Sequence, residues 1–426
     1  MIDKYINTNY VPKKTELLCA FYLETEDDFR KVANHIAGES SIDTWSDIKT
    51  LSEKIIKELK PNVYYIRNNI IKIAYPLKLF ELYSIPQLLS SVAGNIFGMK
   101  LVKNLRLIDI YFPRKYIKSF LGPKFGIKGI RKLINVRNRP LIGTIVKPKL
   151  GLSPKEHAEI AYFSWLGGCD LVKDDENLTN QDFNKFELRI KETLRAKRKV
   201  EKLTKKKKLY LANITAPTVK EMIARARLVK KLGGESIMVD IFTIGFCALQ
   251  SLREENEKLN LIIHAHRAMH AAITRNPKHG ITMRVFTKIA RLIGVDEIHI
   301  GTVIGKMEGE KEEVLINKDE CIMKKLNENK KYHVFEQDWY NIKPIFPVAS
   351  GGLQPTMIPL LLKIFNTKDF IMQFGGGIHA HPSGTLAGAK AVKQALIASL
   401  NNINLGEYAK HHNELKEAIK KWGIYK

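Results

Sequence analysis

The chain has 426 residues, of which 45% are hydrophobic and 27% charged, and a formal net charge of +26. That hydrophobic fraction excludes a disordered chain, and the length fits two domains, one of them large. Met1 to Lys14 lacks an apolar leader, no apolar run spans a bilayer, and the four cysteines (Cys19, Cys169, Cys247, Cys321) lack CxxC spacing, so a reducing cytoplasm is expected.

In chain order, residues 15–24 read as a strand. Residues 26–37 carry Phe29, Val32, Ala33 and Ile36 at the spacing of an amphipathic helix. Residues 62–75 read as a hairpin turning at Arg67-Asn-Asn69, followed by a helix around 86–94 and a strand at 105–112. The order β-α-β-β-α-β predicts a ferredoxin-like α+β domain that ends near Pro113. Residues 114–139 read as a basic connector, and the domain boundary is set at 120.

From Pro140 the rhythm changes. Apolar runs at 141–147, 169–173, 208–214, 236–241, 261–266, 296–301, 345–350 and 369–374 alternate with helical segments. Eight such units predict that 121–426 is a (β/α)8 TIM barrel with a C-terminal helical extension. An open doubly wound sheet is the alternative. Such a sheet would place a Gly-rich phosphate turn after the first strand, where Lys147-Pro-Lys149 stands instead. The basic run from Arg195 to Lys208 suits nucleic acid in charge. However, Val200 and Leu203 interrupt it at helical spacing and no aromatics interleave, so it reads as a solvated helix.

Barrel chemistry sits at the C-terminal ends of the strands. The second strand ends Lys173-Asp-Asp-Glu176. Strand alternation puts Lys173 and Asp175 on one face and Asp174 on the other, and Glu176 joins the first pair if the chain turns there. Two carboxylates suit a hard cation. A lysine amine, readily neutralised by burial, captures carbon dioxide as a carbamate and then offers oxygens too. The plainer reading is that these acids open a helix. Strand one delivers Lys147 and Lys149, strand five His264-Ala-His266-Arg267, and strand six His299 and then Lys306 between glycines. Strands seven and eight end in Ser350-Gly-Gly352 and Gly375-Gly-Gly377. Singly, these are core histidines, tight turns and a solvated loop tip. Together at one rim, the glycine turns make a phosphate pocket, with Arg267 and His299 placed for a second phosphate. That describes a bisphosphorylated sugar reacting through a metal-stabilised enediolate.

These residues fall in motifs that make the chain resemble the large subunit of ribulose-1,5-bisphosphate carboxylase/oxygenase (RuBisCO), in its archaeal form III branch. The motifs are GTIVKPKLGLS (143–153), GGCDLVKDDEN (167–177), HAHRAMHAAITRNPKHG (264–280), GTVIGKMEGE (301–310), FPVASGGL (346–353) and QFGGG (373–377), with GESSIDTW (38–45) and GNIFGMK (94–100) before them. The resemblance implies a lyase that forms two 3-phosphoglycerates from ribulose 1,5-bisphosphate and carbon dioxide, with an oxygenase side reaction and a role in AMP salvage. It implies Mg2+ held by carbamylated Lys173, Asp175 and Glu176. Lys147, Lys149 and His266 would handle protons, and Lys306 would close over the site to stabilise incoming carbon dioxide. Substrate binding would fall to Arg267, His299, Ser350, Gly351, Gly352, Gln373, Gly375 and Gly376. Glu39, Thr44, Trp45 and Asn95 would come from the neighbouring subunit of a homodimer, which can build larger assemblies without a small subunit, a membrane or a specific nucleic acid. Three residues depart from the family pattern: Ile145 stands for a threonine, and Asp43 and Ala380 stand for glycines. The competing reading is a RuBisCO-like enolase or isomerase of sulfur-sugar salvage, in which the Lys306 loop is commonly changed.

Overall fold

The computed structural model describes residues 3–44, 46, 48–304 and 311–425. The chain divides into two compact units. One contains Met1–Gly122, Met269–Ile293 and Met323–Ile342, and the other Pro123–Ala268, Gly294–Ile322 and Lys343–Lys426.

The first unit holds strands β1 (Leu17–Glu24), β2 (Asn62–Arg67), β3 (Ile70–Tyr75) and β4 (Asn104–Tyr111). They lie antiparallel in the order β4-β1-β3-β2, the ferredoxin-like arrangement. Asn68 and Asn69 adopt φ of 51° and 62°, the left-handed pair that a two-residue hairpin turn demands. The helix Phe29–Glu39 starts where the Asp28 side chain accepts the Lys31 N–H, and it buries Val32, Ala33 and Ile36. A fifth strand, Gly280–Ile281, comes from much later in the chain and runs parallel to β4. Near it, Lys288 and Asp109 form a fully buried ion pair at 2.7 Å.

In the second unit eight parallel strands close into a barrel. They are Leu141–Ile145, Leu171–Lys173, Leu209–Asn213, Ser236–Asp240, Ile262–His266, Glu297–His299, Phe346–Ser350 and Ile371–Phe374, here the first to the eighth. Strand eight pairs with strand one through Ile371–Leu141 to Phe374–Thr144, which closes the ring. Between them run helices such as Pro154–Gly167, opened by the Ser153–Glu156 capping box with proline in its first turn.

The expected basic connector is not a plain linker. It forms two helices, Arg114–Ile117 and Gly126–Ile134. In the second, Ile127, Ile130 and Ile134 recur at helical spacing and pack on Leu141, Leu171, Leu209, Ile262 and Phe346, each near the beginning of a barrel strand. The helix therefore stoppers the end of the barrel opposite the strand tips, and each buried isoleucine contributes about 1.5–3 kcal/mol. Asp296 fixes its start by accepting the N–H groups of Phe125 and Gly126, both at 2.7 Å.

The basic run also differs from a wholly solvated helix. Within the helix Phe186–Thr204, Val200 is buried and Leu203 exposed, while Lys197 is buried against Glu235 at 2.7 Å.

Candidate active site

The second barrel strand ends at Lys173 and the chain turns at once. Leu178 N–H reaches the Asp175 carbonyl, and the Asp175 carboxylate accepts the Asn177 N–H. The next helix begins only at Phe186, so the acids do not open a helix. Alternation separates the side chains as expected. Asp174 points away from the site, where Arg189 (3.1 Å), Tyr210 (2.6 Å), His157 (3.0 Å) and the Asn213 N–H (2.9 Å) surround it. Burial would raise its carboxyl, but Arg189, His157 and Tyr210 outweigh that and hold it well below the usual range.

On the other face Lys147 Nζ lies 2.7 Å from Asp175 Oδ2, and Lys149 Nζ lies 4.0 Å from Glu176 Oε1. The two lysines share a side, across a cis Lys147–Pro148 peptide. Lys173, 1% exposed, donates to the Asp174 carbonyl at 2.8 Å and stands 3.4 Å from Glu176 Oε2. His266 Nε2 stands 3.6 Å from the same oxygen. Burial works against ionising Glu176, yet Lys173, His266 and Lys147 bring its pKa down to about 2. Two carboxylates thus sit among four cationic or cation-forming side chains at one strand mouth.

Strands five to eight complete the rim. His266 Nδ1 lies 2.7 Å from Asp240 Oδ1, and its Nε2 is turned toward Glu176. His299 Nδ1 meets Ser350 Oγ at 2.7 Å, and His299 Nε2 meets His264 Nε2 at 2.8 Å. Arg267 is lowered to about 10 by burial, with Glu313 opposing. Gly301 (φ 92°) makes room for it, since a Cβ there would lie 2.9 Å from its guanidinium. Gly351 and Gly352 have φ of 121° and 80°. A Cβ on Gly377 would come within 2.2 Å of the Leu353 carbonyl, so the two glycine loops are packed together. Gly375 starts the turn Gly376–His379, whose first amides have no partners within the helix. Gln373, at the register of Ser350, is buried, and among the described residues neither of its amide atoms has a partner.

Lys306 and Trp45 lie outside the described residues. Glu39 ends its helix, Thr44 lies in the irregular stretch after it and Asn95 is exposed, all in the first unit. Asp43 in that stretch is matched internally by Lys4 at 2.6 Å, the Tyr5 hydroxyl at 2.8 Å and the Thr44 N–H at 3.0 Å. Ile145 is buried at the end of strand one, and the Ala380 carbonyl accepts from Lys421.

The reading of strand ends passed over strands three and four. Asn213, on strand three, donates to the Asp175 and Glu176 carbonyls at 3.3 and 3.1 Å, and Asp240, on strand four, orients His266. Both are the last residues of their strands, the same signal that marks Lys173 and His266.

Among the described residues, no helix is long and apolar enough to cross a membrane. The family model for the ribulose bisphosphate carboxylase large chain, catalytic domain, matches residues 126–422, and that for its N-terminal domain matches residues 4–116. A ribulose bisphosphate carboxylase of Methanosarcina mazei is 56% identical over 98% of each chain. One of Methanocaldococcus jannaschii is 49% identical over 98% of this chain and 99% of its own. Among solved structures, the dimeric archaeal Rubisco of Hyperthermus butylicus superposes with a TM-score of 0.93 at 43% identity, covering 99% of both chains. The octameric Rubisco of Pyrococcus horikoshii, solved with sulfate ion, gives 0.90 at 46%, covering 99% and 97%.

Proposed function

Because the chain belongs to the ribulose bisphosphate carboxylase large-chain family, a family of lyases, we propose that it carboxylates ribulose 1,5-bisphosphate to two 3-phosphoglycerates. We assign it an oxygenase side reaction and a cytoplasmic role in AMP salvage. The observation that carries the reading is the meeting of Lys173, Asp175 and Glu176 with Lys147 and His266 at one strand mouth.

The cofactors in this reading are Mg2+ and an activating carbon dioxide on Lys173 Nζ. Asp175 and Glu176 are hard oxygen donors, and the cations gathered on them mark where positive charge is favoured. In this reading the third donor is the modified Lys173, and its position beside Glu176 fits that role. When bound, Mg2+ polarises the sugar oxygens and offsets the charge left as a proton leaves carbon.

The chain's own groups supply the remainder. Lys173, once it carries carbon dioxide, would be the group placed to take the C3 proton. Lys147 returns a proton to the product carbanion, while Lys149 and His266, the latter held by Asp240, assist proton handling. Gly352, Gly375 and Gly376 cradle one phosphate with backbone amides, with Gly351 and Gln373 beside them. Arg267, His299 and Ser350 hold the other. Glu39, Thr44, Trp45 and Asn95 of the partner subunit complete each site, as suits a family with dimeric and octameric members.

Purified protein given ribulose 1,5-bisphosphate, Mg2+ and labelled bicarbonate should form labelled 3-phosphoglycerate, and an unlabelled isomer as sole product would overturn the reading. Lys306→Ala should keep C3 proton exchange yet lower carboxylation more than about 100-fold, the scale of losing one well-placed group. Equal loss of both in an exchange assay would contradict that order and favour the enolase reading.

A further inference from the structure

Asp296 and Glu297 are adjacent acids at the start of the sixth barrel strand, and both are buried. Asp296 is satisfied: Oδ1 accepts from Phe125 and Gly126, and Oδ2 from Ile263 at 3.0 Å. Glu297 is different. Its Oε2 lies 2.6 Å from His264 Nδ1, and its Oε1 is buried without a partner among the described residues. From His264 the contacts continue through His299 to Ser350 Oγ. An unbroken chain of hydrogen bonds therefore joins a sealed carboxyl to a hydroxyl at the rim.

The direction of this chain is set by proton counting. Two imidazoles facing each other through Nε2 atoms 2.8 Å apart hold one proton between them. If Glu297 is ionised, it accepts from His264 Nδ1–H, His264 Nε2 accepts from His299, and His299 Nδ1 accepts from Ser350. Ser350 then turns only lone pairs toward a ligand. If the chain carries one more proton, every bond reverses. His299 Nδ1–H donates to Ser350, whose O–H is released toward the site.

We propose that Glu297 is a positioning residue which, by storing that extra proton, aims the chain outward and makes Ser350 a hydrogen-bond donor to the anionic sugar ligand. The role at Ser350 rests on the substrate reading above. The surroundings support the assignment. Burial, then the neighbouring Asp296, raises Glu297 to about 8. Burial pushes His264 and His299 well below their usual value, with Lys173 and His266 adding to the effect on both and Arg267 on His299. Burial disfavours a second proton on either ring, whether Lys173 is free or carries carbon dioxide, so the extra proton resides on Glu297. On the strand-seven side Glu297 pairs in register with apolar Phe346.

The direct test needs no turnover. In protein labelled with 15N-histidine, His299 should carry its proton on Nδ1 at pH 7 and shift it to Nε2 above pH 9. Infrared spectra should show a protonated side-chain carboxyl at pH 7 that is missing in Glu297→Gln. His299 protonated at Nε2 at pH 7, or no such carboxyl band, overturns the proposal. The functional part is a double-variant cycle. Glu297→Leu and Ser350→Ala should each raise KM for ribulose 1,5-bisphosphate about tenfold, as for one hydrogen bond to a charged group, and the double variant no further. Additive effects overturn it. Wild-type protein that never turns over this substrate would instead defeat the substrate reading, leaving the tautomer result standing.

Discussion

Lys173→Ala should abolish turnover, lowering carboxylation by about 10^4-fold or more. General-base catalysis alone contributes about 10^2–10^4-fold. In the proposed reading the same side chain, carrying carbon dioxide, would also supply an oxygen donor to the metal, whose charge stabilisation adds further orders of magnitude at 1.36 kcal/mol each. The loss should be chemical and not structural. The alanine removes one amine from beside Glu176, which keeps His266 and Lys149 near its carboxylate. Incorporation of labelled bicarbonate into acid-stable product measures the effect, with circular dichroism confirming the fold. Near-normal carboxylation by this variant would remove the foundation of the assignment.

Asp174→Ala should act through stability, at a cost of about 3–5 kcal/mol, the usual price of leaving one member of a buried ion pair alone. Asp174 and Arg189 are both 0% exposed, so the guanidinium would lose its counter-charge where water cannot replace it. Tyr210 and the Asn213 N–H would lose their acceptor as well. Against a total of about 5–15 kcal/mol, this is enough to leave much of the chain unfolded at moderate temperature. The linkage has a definite sign. The carboxyl is depressed in the folded state, so its contribution is present above the unfolded value of 3.8 and fades as the pH falls through the lower folded value. Urea unfolding at pH 7 measures the change, and a variant within 1 kcal/mol of wild type would show that Asp174 is not the anchor described.

Periodicity made the barrel legible. Its strands recur as short apolar runs that stop at polar residues, and all eight lie inside the expected segments. The hairpin was equally readable because Asn68 and Asn69 tolerate positive φ. The meeting of Lys147, Lys173, Asp175, Glu176 and His266 was readable because they stand at strand tips, where one-dimensional order becomes a ring. Long-range partners were harder. The 126–134 helix hid inside a basic stretch, since its isoleucines gain meaning only against the barrel floor. Gly280–Ile281 is too short to carry a pattern, and its pairing with β4 spans a long stretch of sequence. Glu297 looked like one more polar residue before a histidine. Only the closed barrel brings it beside His264, a residue of the preceding strand.

The late strand Gly280–Ile281 has a consequence for how the protein is made. A ribosome releases β4 long before it reaches that strand, and by then five of the eight barrel strands have already been synthesised. Until that moment Asp109 waits without Lys288, and the outer edge of β4 is bare. A gene fragment stopping at residue 122 therefore encodes an unfinished object, which the rest of the translation must complete.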